Sequence, residues 1–226
     1  MLCENECIEG PVLSCSGICI VFFGPDGCGK TSVAEGVKRA LAGTFPLERG
    51  LHCHWKPIRP KGSGVAPTVD PHRVPPRSRM LSLAYFVYHY LPFIWGWWGH
   101  VNPALRKGGL VMIDRYYYDF FVDLRRYRLN LPRWVVNLGF VFIKKPELVF
   151  CLDADPEILQ ARKKEVSFEE CKRQREAYRA LAEKLPNGHV IDASQPLEKV
   201  VRDVQSVVLN YLAERTRCRS LHRVKF

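Results

Sequence analysis

A glycine-rich octapeptide near the amino terminus restricts the folds open to this chain. Residues 24–31 read Gly-Pro-Asp-Gly-Cys-Gly-Lys-Thr and fit the pattern G-x-x-x-x-G-K-[ST] at every fixed position. The apolar run from Ile18 to Phe23 precedes the octapeptide and predicts a buried strand, and a helical spacing of apolar residues follows from Thr31 to Ala42. A strand, a glycine turn and a helix in this order predict a loop whose backbone N–H groups bind nucleotide phosphates.

The rest of the chain alternates strand and helix patterns. Strand candidates are found at Leu110 to Ile113, Leu148 to Leu152 and Val190 to Ile191, and helix candidates at Pro156 to Lys164 and Pro196 to Ala213. Because strands that alternate with helices form βαβ units, we expect an α/β fold. The architecture should be a three-layer P-loop NTPase sandwich with a central parallel sheet and helices on both faces.

Chain length and charge limit the organisation further. With 226 residues the chain fits one domain spanning residues 1–226, with a structured core over about 16–214 and a basic tail over 215–226. The 34 Lys and Arg residues against 23 Asp and Glu residues give a net charge of +11, which favours anionic partners such as nucleotides. Nucleic-acid binding would rest on this charge and the tail alone, so we do not expect it.

The cysteines indicate a reducing environment. Nine are present, an odd number, and Cys3, Cys7, Cys15 and Cys19 have neither disulfide-framework spacing nor a histidine at metal-ligand distance. The N-terminal residues lack the basic and apolar regions of a signal peptide. We therefore expect a cytoplasmic protein.

Two segments before the strand candidate at Leu110 to Ile113 have unusual composition. Pro57 to Arg79 is rich in proline and predicts a long loop, whereas Met80 to Trp98 is crowded with aromatic residues. His89, Pro92 and Gly96 interrupt the aromatic segment, so it is too short to span a membrane. Three interpretations stay open for it: a core helix packed on the sheet, an aromatic pocket for an acceptor, and a helix that contacts a membrane surface.

The residues that carry chemistry follow two of the predicted strands. Lys30 should neutralise the β and γ phosphates of ATP, and the Thr31 hydroxyl should bind Mg²⁺. Asp114 and Arg115 follow the strand at Leu110 to Ile113, at the edge of the sheet where open α/β folds bind ligands. The acid there can hold the Mg²⁺ shell and the arginine can bind an acceptor phosphate, although a structural ion pair is an alternative.

Together these motifs resemble those of thymidylate kinases and, more broadly, of nucleoside monophosphate kinases. The resemblance rests on the octapeptide, on Asp114-Arg115-Tyr116, and on three later segments in family order that cover most of the chain. These segments are Leu152 to Glu157 leading to Ala161-Arg162, Arg175 to Tyr178 through Leu181-Ala182, and Ile191 to Gln195.

The resemblance implies a role for each matching position. Asp26 would approach the sugar hydroxyl of the acceptor, Arg115 would hold its phosphate, and Asp114 would lie near Mg²⁺. A lid over residues 162–175 would begin at Arg162 and would close over ATP. The remaining nucleotide-binding positions would be Gly24, Gly27, Cys28, Gly29 and Ser32 in the loop, and Ala193, Ser194 and Gln195 beside the adenine. The resemblance also suggests a homodimer.

One catalytic cation is displaced relative to the family pattern. In the family an arginine that stabilises the transferring phosphoryl group comes from the phosphate loop or from the lid. Gly27 and Cys28 occupy the loop positions here. The resemblance therefore assigns this role to a lid cation, which would be Arg162, Lys163, Lys164 or Arg173.

The acceptor half departs from the family. Tyr117 to Phe121, followed by Arg125 and Arg126, replaces the segment whose amide reads thymine, and His54-Trp55-Lys56-Pro57 replaces an Arg-Glu-Pro sequence. We expect a phosphotransferase that moves the γ-phosphoryl group of ATP to dTMP or a related nucleoside monophosphate. The alternatives are a kinase for a small non-nucleotide acceptor, such as a sugar phosphate or lipid head group, and a nucleotide-binding protein with little turnover.

Overall fold

The computed structural model describes residues 17–42, 44–45, 51–54, 75–114, 116–122, 124, 128–164 and 166–223. Five strands are described: β1 (Ile18–Phe23), β2 (Leu51–His54), β3 (Leu110–Asp114), β4 (Leu148–Asp153) and β5 (Gly188–Asp192). The helices are α1 (Lys30–Ala40), α2 (Arg79–Gly96), α3 (Asn102–Arg106), α4 (Asp119–Val122), α5 (Arg133–Leu138), α6 (Pro156–Arg162), α7 (Phe168–Lys184) and α8 (Leu197–Arg223). A π-helical turn (Trp97–Val101) follows α2, and a 3-10 turn (Gly139–Val141) follows α5.

The five strands form one parallel sheet in the order β2-β3-β1-β4-β5. Val21 of β1 is in register with Ile113 of β3 on one side and with Val149 of β4 on the other. The carboxyl end of β1 therefore lies between those of β3 and β4, at the point where the strand order reverses. Ligands bind at such switch points in open parallel sheets.

Both faces of the sheet are covered, as expected for a parallel sheet. Side chains of β1 alternate between two apolar clusters: Ile18, Ile20 and Phe22 pack on the side of α1 and α8. Cys19, Val21 and Phe23 pack on the side of α2, α5 and α7. The predicted α/β sandwich with a central parallel sheet is confirmed.

The last helix covers the first helix and the first strand. Val201 of α8 packs so closely on α1 that a Cβ at Gly36 would lie 2.5 Å from its Cγ2. Gln205 Nε2 donates to the carbonyl of Ala40 at 3.1 Å, and Arg215 Nη1 donates to the carbonyl of Gly17 at 2.9 Å. α8 continues to Arg223, so the prediction that the helix ends near Ala213 is wrong, and residues 215–223 of the predicted basic tail belong to this helix. These residues extend a helix that Arg215 holds against the sheet.

The aromatic segment forms α2 and the π-helical turn. Ser82, Phe86, Tyr90, Phe93 and Trp97 are buried, and this spacing places them on one face of the helix. The prediction of a core helix therefore holds for that face, whereas the opposite face is exposed. Among the helices that the structure describes, none is long and apolar enough to cross a membrane. Residues 57–74 of the predicted loop and Cys3, Cys7 and Cys15 lie outside the described residues.

Candidate active site

The glycine-rich octapeptide forms a turn that connects β1 to α1. Gly29 has φ +86°, a left-handed conformation that side chains disfavour, although a Cβ there would meet no atom within 4 Å. Gly24 has φ +147°, and a Cβ there would lie 2.6 Å from the carbonyl oxygen of Leu152 at the end of β4. Glycine is thus required at Gly29 by backbone conformation and at Gly24 by conformation and contact. The first N–H groups of α1 lie directly after this turn, where an anion is stabilised.

The Lys30 side chain lies over the turn. Its Nζ donates hydrogen bonds to the carbonyls of Gly24 at 3.0 Å and Pro25 at 2.9 Å, and the residue is 7% exposed. Two carbonyls thus hold the buried ammonium at the mouth of the turn. The Lys30 ammonium therefore lies on the loop side of α1, beside the residues that the sequence predicts to bind phosphate.

Thr31 and Asp114 meet beside the loop. Thr31 Oγ1 donates to Asp114 Oδ2 at 2.8 Å, although the two residues are 83 positions apart in the chain. The contact forms because Thr31 is in the first turn of α1 and Asp114 is the last residue of β3, the neighbour of β1. A hydroxyl and a carboxylate oxygen side by side are hard oxygen ligands of the kind that Mg²⁺ accepts.

Two further loop residues, Asp26 and Cys28, are buried, with Asp26 8% exposed and Cys28 1% exposed. Burial raises the pKa of the Cys28 thiol above its ordinary value, and the neighbouring Lys30 ammonium offsets only part of this shift. Cys28 is therefore a neutral thiol that fills space beneath the loop. Gly27 has φ +89° and contacts α6, where a Cβ would lie 2.8 Å from the carbonyl of Leu159. Ser32 is exposed on α1.

The end of α6 meets the turn after β5. Arg162 Nη1 donates to the carbonyl of Ala193 at 2.9 Å. In that turn the backbone N–H of Ser194 donates to Asp192 Oδ1 at 2.9 Å and Gln195 Nε2 donates to Asp192 Oδ2 at 3.0 Å. The hydrogen bonds from Ser194, followed by that from Gln195, hold the pKa of Asp192 below its ordinary value. The structure thus brings Arg162, where the predicted lid begins, into contact with the turn that is predicted to border the base.

A second carboxylate at this edge was not singled out from the sequence. Asp153, the last residue of β4, is 7% exposed and accepts two hydrogen bonds from Arg175, at 2.6 Å from Nε and 3.1 Å from Nη2. Arg179 Nη1 adds a third at 3.3 Å, and Arg175 Nη1 also pairs with Asp155 at 2.9 Å. The hydrogen bonds to Asp153 raise the pKa of Arg175. This network attaches α7 to the sheet. The feature of the sequence that could have identified Asp153 is its position as an acid at the end of a predicted strand.

We expect the Asp153→Asn substitution to lower the free energy of unfolding by about 2 kcal/mol, because it removes a buried charge that accepts three hydrogen bonds from arginines. Chemical denaturation monitored by circular dichroism would measure the change. Asp155→Asn is the matched control: this carboxylate pairs with the same Arg175, but its side chain is 62% exposed. It should cost less than about 0.5 kcal/mol, and equal losses in the two variants would contradict the assignment.

The cations of the predicted lid differ in their surroundings. Lys163 and Lys164 are exposed after the end of α6. Arg173 donates to both carboxylate oxygens of Glu170, at 2.6 and 2.8 Å. Arg162 is therefore the cation of this set that the structure places against the turn beside β5.

The segment after Asp114 is mostly buried and aromatic. Tyr117 and Tyr118 pack in the cluster beneath α2, and the Tyr178 hydroxyl donates to Asp119 Oδ1 at 3.0 Å. Burial raises the pKa of Tyr118 to about 12. Arg115, Arg125 and Arg126 lie outside the described residues, as do Trp55, Lys56 and Pro57. The predicted acceptor contacts of Arg115 therefore stay a prediction from its position after β3.

No group of three or more His, Cys, Asp and Glu residues that could hold a metal ion occurs within the described ranges. Mg²⁺ keeps several waters and is bound through one or two protein oxygens and substrate phosphates. Thr31 and Asp114 supply such oxygens.

Comparison with known proteins gives a consistent result. The family model described as Thymidylate kinase matches residues 22–204. A probable thymidylate kinase of Staphylothermus marinus is 29% identical over 207 residues, which cover 87% of this chain and 97% of that protein. A thymidylate kinase of Limosilactobacillus reuteri is 25% identical over 209 residues, which cover 84% of this chain and 94% of that protein.

A solved structure supports the fold. The crystal structure of thymidylate kinase from Ehrlichia chaffeensis superposes with a TM-score of 0.61 at 16% identity, covering 85% of this chain and 98% of that chain. At this identity the likeness shows the shared architecture of strands and helices.

Proposed function

The chain belongs to the thymidylate kinase family, and from that premise we propose that it transfers the γ-phosphoryl group of ATP to dTMP or a closely related nucleoside monophosphate. The observation that carries the proposal is the contact between Thr31 and Asp114 at 2.8 Å, beside the glycine turn that Lys30 covers. A loop for phosphates, a cation and a pair of oxygen ligands at one strand edge are the parts that phosphoryl transfer requires.

The loop and α1 would bind the ATP phosphates. Backbone N–H groups at the start of α1 face the turn, and the Lys30 ammonium lies over it, so negative charge on the β and γ phosphates is stabilised by groups already in position. Lys30 would exchange its bonds to the carbonyls of Gly24 and Pro25 for phosphate oxygens. Because little covalent chemistry is demanded of the protein, positioning and charge supply most of the rate.

Thr31 and Asp114 would hold Mg²⁺ with their side-chain oxygens. When bound, Mg²⁺ supplies charge neutralisation for the β- and γ-phosphate oxygens. The protein contributes the fixed orientation of the two ligands, since α1 and β3 hold them at hydrogen-bond distance.

The nucleotide base would lie near the turn after β5, bordered by Ala193, Ser194 and Gln195. The contact between Arg162 and the Ala193 carbonyl supports this placement, because it connects the start of the lid to that turn. Arg162 is the lid cation that we assign to the transferring phosphoryl group, which would require it to leave the carbonyl when nucleotide binds.

A panel of acceptors tests the proposal. ADP release would be measured with dTMP, other nucleoside monophosphates and sugar phosphates, and we expect turnover with a nucleoside monophosphate. Arg115→Ala should raise the KM for that acceptor about tenfold or more and leave the KM for ATP nearly unchanged, because a bidentate arginine–phosphate contact is lost.

Arg202→Ala, on the exposed surface of α8, is the matched control and should behave as wild type. Turnover with sugar phosphates alone would favour the non-nucleotide acceptor. Tight ATP binding without ADP release across the whole panel would favour a binding protein with little turnover.

A further inference from the structure

Helix α7 contacts the segment that follows β3. The Tyr178 hydroxyl of this helix donates a hydrogen bond to Asp119 Oδ1 at 3.0 Å, although the two residues are 59 positions apart in the chain. Both residues are enclosed by the protein, with Tyr178 4% exposed and Asp119 5% exposed. The contact therefore joins the helix that begins in the predicted lid to the segment that carries the predicted acceptor contacts.

Asp119 is unlike its neighbours in the chain. Residues 116–122 read Tyr-Tyr-Tyr-Asp-Phe-Phe-Val, so Asp119 is the one charged residue in an aromatic and apolar segment. Burial of a carboxyl group is unfavourable unless hydrogen bonds compensate for the lost water. An apolar side chain would fill the same space without this penalty. The buried carboxyl group at Asp119 therefore indicates a requirement other than packing.

Asp119 also closes the turn that leaves β3. Its N–H donates to the carbonyl of Tyr116 at 3.0 Å, and the next two N–H groups continue the same spacing at 3.1 and 2.9 Å. Arg115 lies between Asp114, the last residue of β3, and Tyr116, the first residue of this turn. Because the sheet holds Asp114 and the turn holds Tyr116, the position of Asp119 determines the course of the chain directly after Arg115.

The Tyr178 ring contacts a second part of the site. It stacks on Phe23, with the ring centroids 5.5 Å apart and an angle of 28° between the planes. Phe23 is the last residue of β1 and directly precedes Gly24 of the glycine turn. Tyr178 therefore contacts the strand that enters the phosphate loop with its ring, and the segment after β3 with its hydroxyl.

We propose that Asp119 and Tyr178 are positioning residues for the acceptor: their hydrogen bond fixes the turn after β3 so that Arg115 is directed at the acceptor phosphate. This inference rests on the proposed function and adds two residues that act through Arg115. Neither residue is assigned a contact with ATP or with the reacting atoms. A small displacement of the arginine weakens acceptor binding, because a bidentate contact with phosphate requires two aligned hydrogen bonds.

Steady-state kinetics with the nucleoside monophosphate that wild type uses best test the inference. Tyr178→Phe keeps the ring that stacks on Phe23 and removes the hydroxyl that bonds to Asp119. It should raise the KM for the acceptor about fivefold or more and leave the KM for ATP within about twofold of wild type, because the displaced group binds only the acceptor. A general loss of packing would not distinguish the two substrates in this way.

Asp119 supplies a comparison between a conservative and a disruptive change. Asp119→Asn keeps an oxygen that accepts a hydrogen bond from Tyr178, so its acceptor KM should stay within about twofold of wild type. Asp119→Ala should match Tyr178→Phe. The double variant Tyr178→Phe, Asp119→Ala should have no higher acceptor KM than either single variant, because the same hydrogen bond is removed in all three. The two Asp119 variants also serve as the test if Tyr178→Phe does not fold.

Asn187→Ala is the matched control for lost stability. Asn187 Nδ2 donates to the carbonyl of Pro146 at 2.7 Å, at the amino edge of the sheet before β4 and β5. The loss of this hydrogen bond between two segments should lower the thermal stability about as much as Tyr178→Phe does. Both KM values should stay within about twofold of wild type, because the change lies at the edge of the sheet opposite the site.

Four results would overturn the inference: an unchanged acceptor KM in Tyr178→Phe, equal increases in the KM for ATP and for the acceptor, equal behaviour of Asp119→Asn and Asp119→Ala, or an acceptor KM that Asn187→Ala raises equally. Each of these leaves the proposed function intact when wild type phosphorylates a nucleoside monophosphate. A wild-type protein that phosphorylates none would refute the proposed function, and this inference with it.

Discussion

Replacing Lys30 with methionine should lower kcat/KM for ATP about 10³-fold or more, because the ammonium is the cation that the structure holds over the phosphate loop. Methionine keeps most of the side-chain volume, so the loss reports charge. A coupled assay of ADP release at saturating acceptor would measure it. We expect both kcat and ATP affinity to fall, since the same group faces the ground-state phosphates and the transferring phosphoryl group.

Two measurements separate this effect from a loss of folding. Lys30 is buried and donates to the carbonyls of Gly24 and Pro25, so methionine leaves both carbonyls without this donor and should lower thermal stability modestly. Lys38→Met on the same helix is the matched control and should retain wild-type turnover. A folded Lys30→Met protein with turnover within tenfold of wild type would refute the role of the loop in catalysis.

Changing Asp114 to asparagine should reduce kcat about 10²-fold and raise the Mg²⁺ concentration needed for half-maximal rate about tenfold or more. The physical reason is that the amide keeps the shape of the side chain but removes its negative charge, while Asp114 is 1% exposed and directly bonded to Thr31. Initial rates over a Mg²⁺ titration at fixed ATP would give both quantities.

Thr31 offers an internal comparison for the same site. Thr31→Ala removes the hydroxyl that donates to Asp114, whereas Thr31→Ser retains it. The alanine variant should show a similar shift in Mg²⁺ dependence, and the serine variant should resemble wild type. If Asp114→Asn lowered the rate with an unchanged Mg²⁺ dependence, the residue would have a different role from the one proposed.

The parts that the sequence predicted well are those fixed by local chemistry. β1 begins and ends at the predicted residues because its apolar run is bounded by Gly17 and Gly24. β3 and β4 each extend one residue beyond the prediction, to Asp114 and Asp153. Both additional residues are acids, so a search for apolar runs ends each strand one residue too early. The backbone of each acid nevertheless belongs to its strand.

Other features depend on partners that are distant in sequence. The network of Asp153 joins it to Arg175 and Arg179 across the gap between β4 and α7, and no local pattern specifies that pairing. The contact of Arg162 with Ala193 likewise requires α6 and β5 to be neighbours. Such contacts follow from strand order, which the sequence pattern alone left undetermined.

The length of α8 was underestimated for a different reason. The dense run of cations after Ala213 favoured a basic tail over a longer helix, but lysine and arginine are good helix formers and positive charge is favourable near a helix carboxyl terminus. Arg215, the first cation of the run, donates to the Gly17 carbonyl and so contributes to packing.

The position of α8 also bears on the order in which the protein matures during synthesis. β1, the glycine turn and α1 leave the ribosome before the helix that covers them through Val201, Gln205 and Arg215, because α8 follows every other described strand and helix in the chain. The apolar surface of α1 and β1 on that side therefore stays uncovered until α8 has been made. A nascent chain should gain its full nucleotide affinity only after α8 has packed on α1.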